Sequence, residues 1–172
     1  ALLLNVLAKP DARDFMSLPF EDIDYAKGLG TPLNLKTLRI GFLPDMKTGL
    51  PVHPEVRAAA QAAAKALQDA GAEIEEMRSF LTPALSDGMA RFFEARSHND
   101  FAQLPPERQA KVLPFIAEWC TWRARNFSGR DVMAAYNAYV ALREVTVAAT
   151  QGYDFVISPT SPILPYEAEL PA

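Results

Sequence analysis

Residues 37–77 read TLRIGFLPDMKTGLPVHPEVRAAAQAAAKALQDAGAEIEEM and carry the pattern strand, helix, strand. Thr37–Leu43 (TLRIGFL) alternates apolar and polar side chains and then turns fully apolar, as a strand buried on at least one face does. Pro54–Ala70 follows as a helix. Pro54 suits its first position, Val56, Ala59, Ala63, Leu67 and Ala70 line one side, and Gly71 is placed to end it. Ala72–Met77 (AEIEEM) is the next short strand. Two strands joined through a helix must run parallel with a right-handed crossover, so the fold class is α/β, with flanking helices on a parallel or mixed sheet.

Outward from this unit, prolines mark both ends of the chain. Pro10, Pro19, Pro32, Pro44, Pro51 and Pro54 crowd the first third, and Pro159, Pro162, Pro165 and Pro171 the last stretch. Each ring fixes its own φ and biases its predecessor away from helix. A helical region fills the middle: Pro83–His98, an interruption at Pro105 and Pro106, then Phe115–Phe127 with Phe115, Trp119 and Trp122 at helical spacing. Ser128 with Asp131 three residues on resembles a capping box and starts a helix from Gly129 to about Thr150. Arg130, Asn137, Glu144 and Gln151 form a narrow polar stripe on it, so the helix is expected to be largely buried. Gly152 closes it, and Tyr153–Ser158 (YDFVIS) reads as a further buried strand. The organisation expected is a single domain: 1–36 a helix tail and extended linker, 37–80 the βαβ unit, 81–150 the helical region, 151–172 a terminal strand with a Pro-rich loop.

Composition bounds the chemistry. The 172 residues are 49% hydrophobic and 22% charged, with a mean hydropathy of -0.03, which fits a globular chain with a core. Seventeen basic against twenty-one acidic side chains give a net charge of -4, which argues against a broad nucleic-acid-binding face. Cys120 is the one cysteine, so no intrachain disulfide forms and a cytoplasmic, reducing setting is expected. With His53 and His98 as the only histidines, no metal site and no cofactor are expected. The start, ALLLNVLA, has no initiator Met and no basic n-region, and eight residues cannot span a bilayer. It reads as the tail of a helix whose Leu2, Leu3, Val6 and Leu7 pack on something upstream, and no membrane partner is expected.

Several clusters look chemical and have plainer readings. Ser97, His98 and Asp100 hold the letters of a nucleophilic triad, but neighbours on one helix project about 100° apart and cannot converge. His53 precedes Pro54, where it caps the helix or lies in solvent. Cys120, between Trp119 and Trp122, reads as a small buried hydrophobe. Glu73 and Glu75 share a strand face and read as a solvated edge. Gly28 and Gly30 lack the third glycine and the preceding strand of a dinucleotide fingerprint. Arg123, Arg125 and Arg130 gather where cations favour a helix end or capture a carboxylate. The most distinctive signal is Tyr153–Pro162, YDFVISPTSP, an apolar strand delivered into a loop of Pro, Thr and Ser. Ligands of open α/β sheets bind beyond the carboxyl ends of strands, which makes Thr160 and Ser161 the candidate substrate-lining residues. A rim loop merely stiffened by prolines is the equal alternative.

LLLNVLAKPDARD at 2–14, LRIGFLPD with PVHPEVRAAAQAAAKALQDAGAEIEE, and the closing YDFVISPTSP together resemble the stretch that follows the catalytic part of amidase signature enzymes, a family that includes the glutamyl-tRNA amidotransferase A subunits. The resemblance runs from Leu2 to Pro162. It implies an α/β/α sandwich and carboxamide hydrolysis by a Ser, cis-Ser, Lys triad, in which a second serine relays the proton of the nucleophile to a neutral lysine. The family carries its serines in a Gly- and Ser-rich segment. This chain has no Ser-Ser and no Gly-Gly dipeptide, and none of its six lysines or seven serines matches a triad position.

The leading expectation is therefore a substrate-side segment of an amidase signature hydrolase, inactive alone, with the catalytic residues elsewhere in a longer protein and the helical region a wall of the substrate funnel. Its partners would be the missing catalytic core and a small-molecule amide, and its bare apolar faces predict a homo-oligomer of the segment. The alternative is a self-contained α/β binding or interaction module without catalytic activity. A third reading, a Cys120 enzyme, needs a histidine within hydrogen-bond reach.

Overall fold

A computed structural model describes residues 1–14, 17, 19–47 and 49–167; Pro171 and the rest of 168–172 lie outside the described residues. The chain divides into two compact units, 1–34 and 35–172.

In the first unit, α1 (Leu2–Leu7) is a short helix whose Leu2, Leu3, Val6 and Leu7 are all exposed. Its polar residue does the anchoring. The Asn5 side chain donates to Asp24 Oδ1 at 2.8 Å and accepts from the Tyr25 backbone at 2.9 Å, which folds the extended segment back on the helix. Gly30 takes φ +82, the left-handed turn conformation for which glycine is suited.

The second unit is built on a sheet in the order β2-β1-β3: β1 (Arg39–Phe42), β2 (Glu73–Glu76) and β3 (Phe155–Ile157). Both pairings are parallel, with Ile40 opposite Ile74 and Phe155. The apolar run of β1 explains its central place: Ile40, Phe42 and Leu43 are buried, Leu43 to 2% exposure. Between β1 and β2 lies α2 (Pro54–Asp69), which packs on β2 and completes the βαβ unit foreseen from the sequence. Gly71, at φ +108, ends that helix against the Lys36 side chain. The face of α2 turned inward is Val56, Ala60, Ala64 and Leu67; Val56 and Leu67 belong to the expected stripe, whereas Ala59, Ala63 and Ala70 are exposed and Ala60 and Ala64 turn inward instead.

Four helices separate β2 from β3: α3 (Pro83–Ala102), α4 (Pro106–Gln109), α5 (Pro114–Thr121) and α6 (Gly129–Thr150). The Thr82 hydroxyl accepts from Leu85 N at the start of α3. The Ser128–Asp131 pair forms a complete capping box on α6, with bonds of 3.2 Å and 2.8 Å in the two directions. α3 and α6 pack along their length, Gly88 against Ala138 and the Phe92 ring stacked on Tyr139 at 5.3 Å.

Three expectations change. Phe115–Phe127 is not one helix: α5 ends at Thr121 and a 3₁₀ turn, Ala124–Asn126, follows. α6 is not largely buried, because only the side facing α3 is covered; Ala135 is buried, while Met133, Tyr136, Val140 and Val147 are exposed. β3 is not a buried strand. Among the described residues it pairs with β1 alone, and its adjacent residues Phe155 and Val156, which point to opposite faces, are both exposed.

Candidate functional site

The carboxyl ends of β1 and β3 lie side by side, tied by Leu43 N donating to Ile157 O at 2.8 Å. Beyond them the chain leaves as two loops, residues 43–47 and 49–53 before α2 and residues 158–164 after β3. A second backbone bond, His53 N to Pro162 O at 2.8 Å, holds these loops together. His53 also caps α2 through Nδ1, which accepts from Glu55 N; that is the structural role foreseen for it.

Between the loops lies a cavity of about 190 Å³ lined by Pro44, Asp45, Val52, Pro159, Thr160 and Pro162 among others. Apolar walls and rigid prolines make most of it, and Asp45 and Thr160 supply its charge and its hydroxyl. A groove of about 500 Å³ also reaches Thr160, along Val56, Ala59 and Ala63 of α2 and Leu164. Thr160 therefore borders both spaces. Ser161 is exposed and its Oγ accepts from Ile163 N at 3.3 Å, stiffening the loop.

Asp45 was not singled out by the sequence pattern, although Pro-Asp directly after an apolar strand is the signal that could have found it. Its side chain is 14% exposed. Oδ1 accepts from Lys47 N at 2.8 Å, and Oδ2 lies 3.2 Å from Lys47 Nζ and 4.0 Å from Arg57 Nη2. The backbone and side-chain bonds from Lys47, followed by the charge of Arg57, hold its carboxyl below the usual carboxylate range. The turn is tight enough to put Lys47 at φ 55, and Ser79 Oγ donates to Met46 O at 2.7 Å to pin it from outside.

The other sequence clusters take plain roles. Glu73 and Glu75 face Arg39 on the neighbouring strand, at 3.8 and 3.1 Å. Arg123 captures Glu94 at 3.0 Å and Asp87 at 3.6 Å within the helical region. Ser97, His98 and Asp100 remain on one helix, α3, where Asp100 pairs with Arg96. Cys120 is buried, and among the described residues no hydrogen bond joins it to His53 or His98. Among the described residues no three His, Cys, Asp or Glu side chains gather as metal ligands, and no helix is long and apolar enough to cross a membrane.

Comparison with known proteins agrees with this arrangement. The Amidase family profile matches residues 1–172. The glutamyl-tRNA(Gln) amidotransferase A subunit of Synechococcus sp. (strain CC9902) is 36% identical over 93 residues, 54% of this chain and 18% of that protein. Its counterpart in Heliobacterium modesticaldum is 38% identical over 76 residues, 44% of this chain and 15% of its own. The chain thus matches less than a fifth of the length of these relatives. A solved bacterial aryl acylamidase of the amidase signature enzymes shares the fold, with a TM-score of 0.76 at 20% identity, covering 96% of this chain and 35% of that one.

Proposed function

The chain belongs to the Amidase family, and from that membership we propose that it forms the substrate-side part of a carboxamide hydrolase whose nucleophile and base lie in sequence outside residues 1–172. One observation carries the reading: the family match spans 1–172 in a sequence without a Ser-Ser or Gly-Gly dipeptide. The Gly- and Ser-rich segment that the resemblance associates with the triad has no counterpart in it.

In this reading the bond is broken elsewhere and the residues here act on the substrate. Thr160 is the group to meet the amide, since its hydroxyl can donate to the carbonyl or accept from the amide N–H. Ser161 holds the loop and stands at its rim. Asp45, kept ionised by Lys47 and Arg57, fixes the opposing loop. The prolines limit how far either loop can move, so the hydroxyl meets the substrate already oriented, which is where positioning contributes to rate. Hydrolysis by a serine needs proton transfer and oxyanion donors, which side chains and backbone N–H groups supply without a metal or a cofactor. Its partners are the catalytic part of the protein and a small-molecule amide, in the cytoplasm, with no direct contact to nucleic acid.

The test uses the longer protein that contains this chain. Thr160→Val keeps the shape and removes the hydroxyl, and kcat/KM for its amide should fall about tenfold, the worth of one hydrogen bond to substrate. Unchanged kinetics would overturn the assignment of Thr160. Full amide turnover by residues 1–172 alone would overturn the placement of the nucleophile.

A further inference from the structure

The three parallel strands end on the same side of the sheet, and the cavity beside Thr160 takes its lining from the loops after two of them, β1 and β3. The third strand also reaches it. Met77 N donates to Phe42 O at 2.7 Å, which carries the pairing of β1 and β2 one residue past Glu76. Three residues beyond the end of β2, the half-buried Ser79 turns its hydroxyl onto the Met46 carbonyl, 2.7 Å away, a short distance for a hydroxyl donor. Met46 lines the cavity together with Pro44 and Asp45 just before it. The loop that carries these three is held at its two ends from the β3 side, by Leu43 N on Ile157 O and by His53 N on Pro162 O. Between those ends Lys47, Gly49 and Leu50 are exposed and Gly49 takes φ +92, so packing does little to fix the span. The bond from Ser79 ties that span to a different strand.

We propose that Ser79 is a positioning residue of the substrate site: by holding the Met46 carbonyl it keeps Pro44, Asp45 and Met46 at the spacing from Thr160 that the substrate fills. The inference rests on the reading of this cavity as the place where the amide is held. Ser79 does not line the cavity; it acts through Met46. A wall contact is made alike in the ground state and the transition state, so loosening the wall raises KM and leaves kcat unchanged. Loss of folded enzyme does the reverse, lowering the apparent kcat at constant KM, and the two roles are therefore separable.

The test uses the longer protein that contains this chain, with primary aliphatic and aryl carboxamides as substrates. Ser79→Ala should raise KM about fivefold, the net worth of one hydrogen bond, with kcat changed by less than about twofold. Ser79→Thr keeps the hydroxyl on the same carbon and should restore KM. Hydrogen exchange of the Lys47 and His53 amides, which bond Asp45 and Pro162, should quicken about fivefold in Ser79→Ala and return in Ser79→Thr, whatever the cavity binds. Unchanged exchange in Ser79→Ala, or a fall in kcat at constant KM, would overturn the positioning role. Faster exchange with unchanged kinetics would overturn it too, and Thr160→Val then tells the two failures apart. A kinetic loss in Thr160→Val would remove Ser79 alone and keep the cavity as the substrate site, whereas no loss would remove the substrate site with it.

Discussion

Gly88 of α3 lies against Ala138 of α6 so closely that a carbon added at Gly88 would collide with the Ala138 side chain. The contact sets the distance between the two longest helices among the described residues, of 20 and 22 residues. Gly88→Ala would ordinarily stabilise a helix interior by up to about 1 kcal/mol. Here the overlap outweighs that gain, and urea unfolding should show a net loss of about 1–3 kcal/mol. Ala138→Gly in the same chain should restore part of it. A stabilised single mutant would mean that the helices are not in contact at this point.

The capping box of α6 gives a second, smaller expectation. Ser128→Ala removes the acceptor for Asp131 N and should cost about 1 kcal/mol in thermal or chemical unfolding. An unchanged midpoint would contradict the cap.

Asp131 also sets a pH dependence. The Ser128 hydroxyl and then the Ser128 backbone N–H donate to its carboxylate, which lowers its pKa in the folded chain. A depressed folded pKa contributes stability above the unfolded value, about 3.9 for Asp, and that contribution is lost as pH falls through the lower folded value. Stability of the parent should therefore decline with acid below about pH 4 more steeply than that of Asp131→Asn. Parallel acid titrations would refute the bond.

Arg39 ties the amino end of the sheet together. It donates to the Gly152 carbonyl at 2.9 Å and to Glu75 at 3.1 Å, over the Tyr153 ring. Arg39→Ala should cost about 1 kcal/mol, chiefly from the bond to Gly152. Glu75→Gln should cost less than about 0.5 kcal/mol and nothing at high salt, because the pair is exposed. Equal losses from both would show that the ion pair matters more than the carbonyl bond.

Cys120 should react slowly with a thiol reagent in the native chain and rapidly once unfolded, since it is buried against α3. Fast native labelling would reopen a role for the thiol.

Much of this architecture could be read from the residues. Pro54, the alanine run and Gly71 announced α2, and the apolar end of TLRIGFL announced the central strand, because local rules of φ, capping and periodicity act within a few residues. Ser128 and Asp131 marked the start of α6 for the same reason. Burial was less legible. The apolar residues Met133, Val140 and Val147 on α6 and Phe155 on β3 look like core in sequence, yet pattern records only what a side chain prefers, not whether another element arrives to cover it. Thr160 could be placed at a strand's carboxyl end from YDFVISPTSP, whereas Asp45 gained its meaning from Lys47, Arg57 and the neighbouring loop, contacts that depend on how the turn closes in space.

We propose that this chain shapes the substrate side of an amide hydrolase and that the bond is broken by residues outside it. The decisive measurement is ammonia release from simple primary aliphatic and aryl carboxamides by the purified 172-residue chain. No release above buffer is expected; saturable turnover abolished by a single Ser or Cys substitution would overturn the proposal.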